Sequence, residues 1–261
     1  MPRILFLYNL SVSDIFLSII IPSYDEMGNL RKGVLDKIDH FLKKQKYTYE
    51  VIIVDDGSTD GSKEFSEDFV KENVNFRLIK NEHLGKAGAV TSGMLAAKGE
   101  YRMFTDMDQA TPIEELESLL PFVKEYDIVI GSRNSSRKGA PWTRLIMAKG
   151  MIFLRTAIVG VGNIKDTQCG FKLFNKNAAE KLFTKIQDLH GGFKKISRSS
   201  VTAGFDVELL YLAQKMGYKI KEVPVSWLYV ETRRVNPVKD SIDGLLDLVK
   251  IKRNSLKGKY N

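Results

Sequence analysis

Two acids one residue apart close a short, mostly apolar run, Tyr101-Arg102-Met103-Phe104-Thr105-Asp106-Met107-Asp108-Gln109-Ala110. The run reads as a strand. Side chains on a strand alternate between its faces, so Asp106 and Asp108 are expected to point the same way. Two carboxylates on one side of a strand end offer hard oxygen ligands. Such a pair suits Mg²⁺ or Mn²⁺, with a diphosphate completing the coordination. An isolated pair of this kind is more often two solvated acids in a turn, so the rest of the chain has to decide.

Three further apolar runs end in polar clusters. Phe16 to Ile21 is closed by Pro22 and followed by Ser23-Tyr24-Asp25-Glu26. Tyr49 to Val54 ends in Asp55-Asp56-Gly57-Ser58, and Asp127 to Ile130 ends in Gly131-Ser132-Arg133. All three read as buried strands, and Phe76 to Lys80 reads as another. Helical spacing separates them over Asn29 to Lys46, Lys63 to Lys71 and the small-residue stretch Gly85 to Ala97. Asp60 or Ser58 is placed to cap the second of these helices. Thr111-Pro112 is expected to open another, with Thr111 as its cap. Strand and helix alternating in this way imply an α/β fold, a mostly parallel sheet with helices on both faces. Ligands of such sheets sit at the carboxyl ends of the strands. Four polar strand ends would therefore converge on one edge, which favours the ligand-binding reading of Asp106 and Asp108.

Beyond Arg133 the chain is basic. No acid occurs between Ile128 and Lys165, whereas Arg133, Arg137, Lys138, Arg144, Lys149, Arg155 and Lys165 do. Trp142 to Val161 is apolar apart from three of these. At 100° per residue Arg144 and Arg155 share nearly one face, as expected of an amphipathic helix at a lipid interface, its cations meeting lipid phosphates. A polar loop, Asp166 to Gly170, leads into a short strand through Phe174, and Asn175 is placed to cap the next helix. His190 to Gly204 reads as a loop, Phe205 to Met216 as a helix ended by Gly217, and Tyr218 to Trp227 as an edge strand because of Pro224. Asp240 to Lys250 reads as a last amphipathic helix with a basic tail.

Composition narrows the function. The chain has 261 residues, 43% of them hydrophobic, enough for one substantial core. Its formal charge of +8 favours anionic partners. Nucleic acid is not the expected one, because no aromatic residues interleave with the basic ones as a stacking platform would require. The lone Cys169 fits a reducing compartment, and three scattered histidines exclude a zinc cluster. Residues 1–14 read as an N-terminal extension, too short and broken to span a bilayer. Neither a dinucleotide-binding glycine fingerprint nor a Walker loop is present, so a nucleotide would be held by carboxylates and a metal.

The motifs Ile-Pro-Ser-Tyr-Asp-Glu (21–26), Val-Asp-Asp-Gly-Ser-Thr-Asp-Gly (54–61), Gly-Lys-Ala-Gly-Ala-Val (85–90), Asp-Met-Asp (106–108) and Gly-Ser-Arg (131–133) resemble those of family 2 inverting glycosyltransferases with the GT-A fold. Asp-Thr-Gln-Cys-Gly-Phe-Lys-Leu-Phe (166–174) and Phe-Asp-Val-Glu-Leu-Leu (205–210) narrow the resemblance to polyprenyl-phosphate sugar synthases. The dolichyl-phosphate β-glucosyltransferases are most similar, with the mannose synthases close behind. The resemblance spans residues 15 to 234 and implies a Rossmann-like three-layer catalytic domain there, with 235–261 as a C-terminal helix and tail. It implies that Pro22, Tyr24, Glu26, Asp55, Asp56, Lys86 and Met107 hold the nucleotide sugar. Asp106 would contact ribose or metal, and Asp108 would bind Mg²⁺ or Mn²⁺. Arg133, Arg144 and Arg234 would meet phosphates of donor or acceptor. A mannose-synthase Gln that joins the metal is Ala110 here, with Gln109 beside it.

The implied reaction moves a hexose, first of all glucose from UDP-glucose, onto a polyprenyl or dolichyl phosphate at the cytoplasmic face of a membrane. A phosphate oxyanion is already nucleophilic at neutral pH, its second pKa being about 6, so no general base is required. The competing readings are a different donor such as GDP-mannose, or a soluble saccharide acceptor. The latter needs a carboxylate base, for which Asp206 and Glu208 are the candidates. A sugar-phosphate nucleotidyltransferase lacks support, since its glycine-rich entry loop is missing.

Overall fold

The computed structural model describes residues 15–133, 150, 154–161, 164–193, 203–228 and 237–260. In chain order its strands are β1 (Leu17–Ser23), β2 (Tyr49–Asp55), β3 (Phe76–Lys80), β4 (Tyr101–Thr105), β5 (Ile128–Arg133), β6 (Phe171–Asn175) and β7 (Ile220–Val225). They form one sheet in the order β3-β2-β1-β4-β6-β5-β7. Strand β6 runs antiparallel to β4 and β5, and every other pairing is parallel. Pro224 lies in the edge strand β7, where a missing N–H costs no ladder bond.

The central strands are buried on both faces, which explains their unbroken apolar sequence. Ile20, Ile52, Val54 and Phe104 point to one side. There they pack with α4 (Gly85–Ala96), α7 (Lys176–Leu189), α8 (Ala203–Lys215) and α9 (Pro237–Leu256). Their neighbours Ile19, Ile21, Val51, Ile53 and Met103 point to the other. Here they meet α1 (Met27–Leu30), α2 (Val34–Leu42), α3 (Ser62–Glu72) and α5 (Leu116–Leu119). Helix α4 approaches β1 and β2 so closely that a β-carbon on Gly93 would overlap Ile20 and stand 2.9 Å from Val54 Cγ2. The small residues of 85–97 thus serve close helix–sheet packing.

Some elements differ from expectation. The helix expected over 29–46 is two, broken where Gly33 adopts a left-handed φ of +70°. The helix after Pro112 is reduced to single turns around α5, because Pro121 has no N–H to continue the ladder. Thr111 does not cap it; its Oγ1 lies 3.7 Å from Cys169 Sγ. The helix expected from Asp240 to Lys250 runs from Pro237 to Leu256. Of the stretch 142–161, residues 154–159 are helical (α6); residues 1–14, Arg144 and Arg234 lie outside the described residues.

Candidate active site

Strand β4 stops at Thr105, and Asp106 to Gln109 form a turn in which Gln109 N donates to Asp106 O and Gln109 adopts a φ of +48°. The acids are therefore not in extended chain. They still face one cleft, because the turn sends Met107 into the core, where it is 2% exposed. Asp108 Oδ1 accepts from Ala110 N at 3.0 Å. Burial, and then the neighbouring charge of Asp106, push the Asp108 carboxyl above its ordinary value. Two carboxylates that repel in a partly desolvated turn call for a cation.

Lys86, in the first turn of α4, supplies one. Its Nζ lies 2.5 Å from Asp106 Oδ1. Burial disfavours the ammonium, but the charges of Asp106, Asp206 and Asp108 outweigh it and hold Lys86 protonated well above its usual range. The same turn accommodates Asp106 only because residue 170 is glycine. A β-carbon there would overlap the carboxylate, 2.5 Å from Cγ and 2.8 Å from Oδ1. The Asp-Thr-Gln-Cys-Gly-Phe segment therefore abuts the two acids directly.

Arg133, at the end of β5, was expected to meet phosphate. In the structure its guanidinium is paired with Asp166, Nε to Oδ2 at 2.7 Å and Nη2 to Oδ1 at 2.8 Å, and its backbone N donates to Oδ2 at 2.9 Å. Burial opposes the Asp166 charge, but the bonds and charge of Arg133 prevail and its carboxyl is held below the ordinary range. Arg133 nevertheless lines the same cleft as Asp106 and Asp108, together with Gln168, Cys169 and Trp227. Gln168 lies in the Asp-Thr-Gln-Cys-Gly-Phe motif, which could have marked it. Trp227 follows the carboxyl end of a parallel strand, a position that could have marked it.

The ends of β1 and β2 are laced together. Asp56 is 2% exposed and accepts from Leu84 N at 2.7 Å and Gly85 N at 2.8 Å, tying β2 to the start of α4. Burial pushes its carboxyl up despite those bonds. His83, at a φ of +61°, places Nδ1 3.1 Å from Asp56 Oδ2 and stacks on Tyr24 with ring centroids 4.1 Å apart. Asp55 turns Oδ2 to Gly57 N and Ser58 N, while its buried Oδ1 has no partner among the described residues. Glu26 accepts from Asn29 Nδ2 at 2.6 Å, and Pro22 pairs with Val54 within the sheet. Asp60 accepts from Ser62 N, but the residue that caps α3 is Gly61, which has no side chain to bond the first turn, so neither Asp60 nor Ser58 is its cap.

Three groups expected to act on ligands are committed elsewhere. Arg155 does not present its charge outward beside Arg144. It is 6% exposed and donates to Thr167 Oγ1 at 2.7 Å and Ile164 O at 2.6 Å, because the loop before Asp166 leaves buried oxygens that its fork satisfies. Asp206 Oδ1 receives Lys172 Nζ at 2.5 Å, and that fully buried ammonium also donates to Cys169 O. Glu208 accepts from Tyr260 and lies 2.7 Å from His190 Nε2. Burial opposes its charge, yet these partners hold the carboxyl below its ordinary value. Neither acid is poised as a general base.

Among the described residues no three His, Cys, Asp or Glu cluster into a ready metal cage, and no helix is long and apolar enough to cross a membrane. The Asp106–Asp108 pair nonetheless fits Mg²⁺ or Mn²⁺ as a partial ligand set. It is acidic and oxygen-only, and the single ammonium 2.5 Å from Asp106 leaves the two carboxylates with excess negative charge.

Comparison with known proteins agrees with this arrangement. The family model for glycosyl transferase family 2 matches residues 18–200. The dolichyl-phosphate β-glucosyltransferase of Dictyostelium discoideum is 34% identical over 95% of this chain and 77% of its own length. The Homo sapiens enzyme of that name is 31% identical over 94% of the chain and 77% of its own length. Among solved structures, the mannosyl-3-phosphoglycerate synthase of Rubrobacter xylanophilus superposes with a TM-score of 0.64 at 14% identity, over 94% of this chain and 75% of that one. A mannosyltransferase from Pyrobaculum calidifontis, in complex with GDP-Man and Mn²⁺, gives a TM-score of 0.52 at 16% identity, over 95% and 75%. At such identities the likeness is one of fold.

Proposed function

The chain belongs to glycosyl transferase family 2, and from that premise we propose that it moves glucose from UDP-glucose to a polyprenyl phosphate of the dolichyl type, with inversion, at the cytoplasmic surface of a membrane. The observation that carries this reading is the contact of Asp106 with Gly170. It joins the carboxylate turn, suited to a donor diphosphate, to the segment most similar to lipid-phosphate enzymes. The names of the relatives at 31–34% identity supply the sugar and the acceptor.

The roles of the chain's own groups follow. Asp106 and Asp108 would hold Mg²⁺ or Mn²⁺, which when bound neutralises charge on the departing nucleoside diphosphate. Lys86 stands beside the same phosphates as a second cation. Tyr24 offers a ring for the base, next to Asp55 and Asp56. Arg133, aligned by Asp166, and Arg144 orient the acceptor phosphate, whose geometry a guanidinium matches. Trp227 lines the cleft and Leu228 beside it is 58% exposed, an apolar lip for the first isoprene units. Because the phosphate nucleophile needs no base, the commitment of Asp206 to Lys172 and of Glu208 to His190 and Tyr260 favours this acceptor over a saccharide hydroxyl.

The test is a panel of UDP-glucose and GDP-mannose against a polyprenyl phosphate and soluble sugars, with and without Mn²⁺. UDP-glucose with the polyprenyl phosphate should be the productive pair. Asp108→Ala should abolish transfer, and Arg144→Ala should raise the acceptor KM with little change in donor KM. Efficient transfer to a free sugar, or full metal-dependent activity in Asp108→Ala, would overturn the proposal.

A further inference from the structure

Helix α9 carries two apolar faces where one suffices. Leu248 and Ile251 are buried against the domain and Asp247 Oδ2 accepts from Gly204 N at 3.0 Å, which fixes the inward side. The outward side carries Ile242 (55% exposed), Leu246 (61%), Val249 (52%) and Leu256 (79%), with Leu245 beside them. At 3.6 residues per turn these five fall within an arc of roughly 100°, opposite the buried face. A single exposed leucine is ordinary, but a contiguous apolar stripe on a surface helix is not.

The charges around the stripe identify its occupant. Lys252 borders it on one side, Lys250 and Lys257 on the other, and Arg253 lies within it; all four are exposed. An apolar strip between rows of cations is the pattern of a helix lying in the interface of an anionic bilayer, with lysine stems along the acyl boundary and ammonium groups among the headgroups. A second copy of the chain would instead bring these cations against their equivalents. The position also suits the reaction. Gly204 lies two residues before Asp206, whose partner Lys172 bonds the Cys169 carbonyl at the wall of the cleft. Helix α9 thus meets the start of α8 at Gly204 and runs on beside it to Tyr211, whose hydroxyl bonds Ser255.

We infer that α9 is a membrane-docking surface that seats its outward stripe in anionic lipid. Its relevance to catalysis rests on the lipid-phosphate reading above. Buried Arg155 does not reach lipid, and α9 offers a lipid contact separate from the stretch 142–161.

The test uses the full chain and vesicles of phosphatidylcholine with and without phosphatidylserine, read by flotation. The double variant Leu246→Gln, Val249→Gln keeps good helix formers and should lower the vesicle-bound fraction roughly tenfold or more. Lys252→Glu with Lys257→Glu should remove the dependence on phosphatidylserine. Both variants should retain the wild-type melting temperature and wild-type transfer to a short, water-soluble polyprenyl phosphate without lipid. Undiminished flotation of the Gln variant overturns the inference. So does a wild-type dimer, seen by light scattering, that the Gln variant dissociates, since the stripe would then be covered by a second copy. Failure of wild type on the soluble acceptor would sink the proposed reaction, while flotation still decides the docking surface.

Discussion

The carboxylate of Asp106 fills the space that Gly170 leaves by having no side chain. Gly170→Ala should therefore displace Asp106 rather than unfold the protein, because the clash falls on a side chain at the rim of the cleft. A shift near 1 Å in a catalytic group costs on the order of 100-fold in rate. Transfer should fall by about that much, with weaker Mn²⁺ binding and a melting temperature close to wild type. Normal turnover in Gly170→Ala would show that Asp106 can move without consequence.

Lys86 and a divalent cation compete for the same oxygen. At 2.5 Å from Asp106 Oδ1, the ammonium occupies part of the space a metal needs, and donor phosphates would draw it away. Lys86→Met should thus bind Mn²⁺ more tightly than wild type in the absence of nucleotide, as measured by paramagnetic resonance. The same variant should bind UDP-glucose more weakly, having lost a phosphate partner. Weakening of both would mean that Lys86 only shapes the turn.

The strand ends were legible because the central strands must be apolar on both faces, so a polar residue after them marks where the sheet stops. Asp106, Asp108 and Arg133 emerged in this way. What stayed hidden were partnerships between segments distant in sequence. Nothing local in Arg133 says that Asp166 claims it, and nothing in Arg155 says that Ile164 O and Thr167 do. A helical wheel assigns charges outward by default, and Arg155 breaks that default by satisfying a buried loop. Alternation along a strand predicts that Asp106 and Asp108 face the same way, whereas in the structure a turn with Gln109 in left-handed geometry brings them to one cleft.

The Arg133–Asp166 pair links the cleft to stability. The folded carboxyl of Asp166 lies below the ordinary aspartate value of about 3.9, so its charge stabilises the fold fully above that pH. The contribution disappears as pH falls through the lower, folded value. Asp166→Asn leaves Arg133 largely buried without its counter-charge, costing about 3 kcal/mol at neutral pH. The gap in melting temperature between wild type and variant should be widest above about pH 5, start to shrink near pH 4, where the unfolded chain takes up the proton, and close only below the lowered folded value, where wild type loses the charge too. A gap that stays constant down to pH 2 would remove the ion pair as its cause.

Arg155 separates structural from membrane roles within the basic stretch. Its guanidinium donates to a backbone carbonyl and a hydroxyl in the loop that leads to Asp166, and burial lowers its pKa. Arg155→Met would leave Ile164 O and Thr167 Oγ1 without their donor, at about 1–3 kcal/mol for each unsatisfied buried group. The loop that carries Asp166 and Gln168 would loosen, so the melting temperature and transfer to a soluble acceptor should fall together. Flotation with anionic vesicles should be unchanged, since this charge never reaches lipid. The opposite pattern, normal stability with lost flotation, would return Arg155 to the membrane surface and require the loop before Asp166 to find other donors.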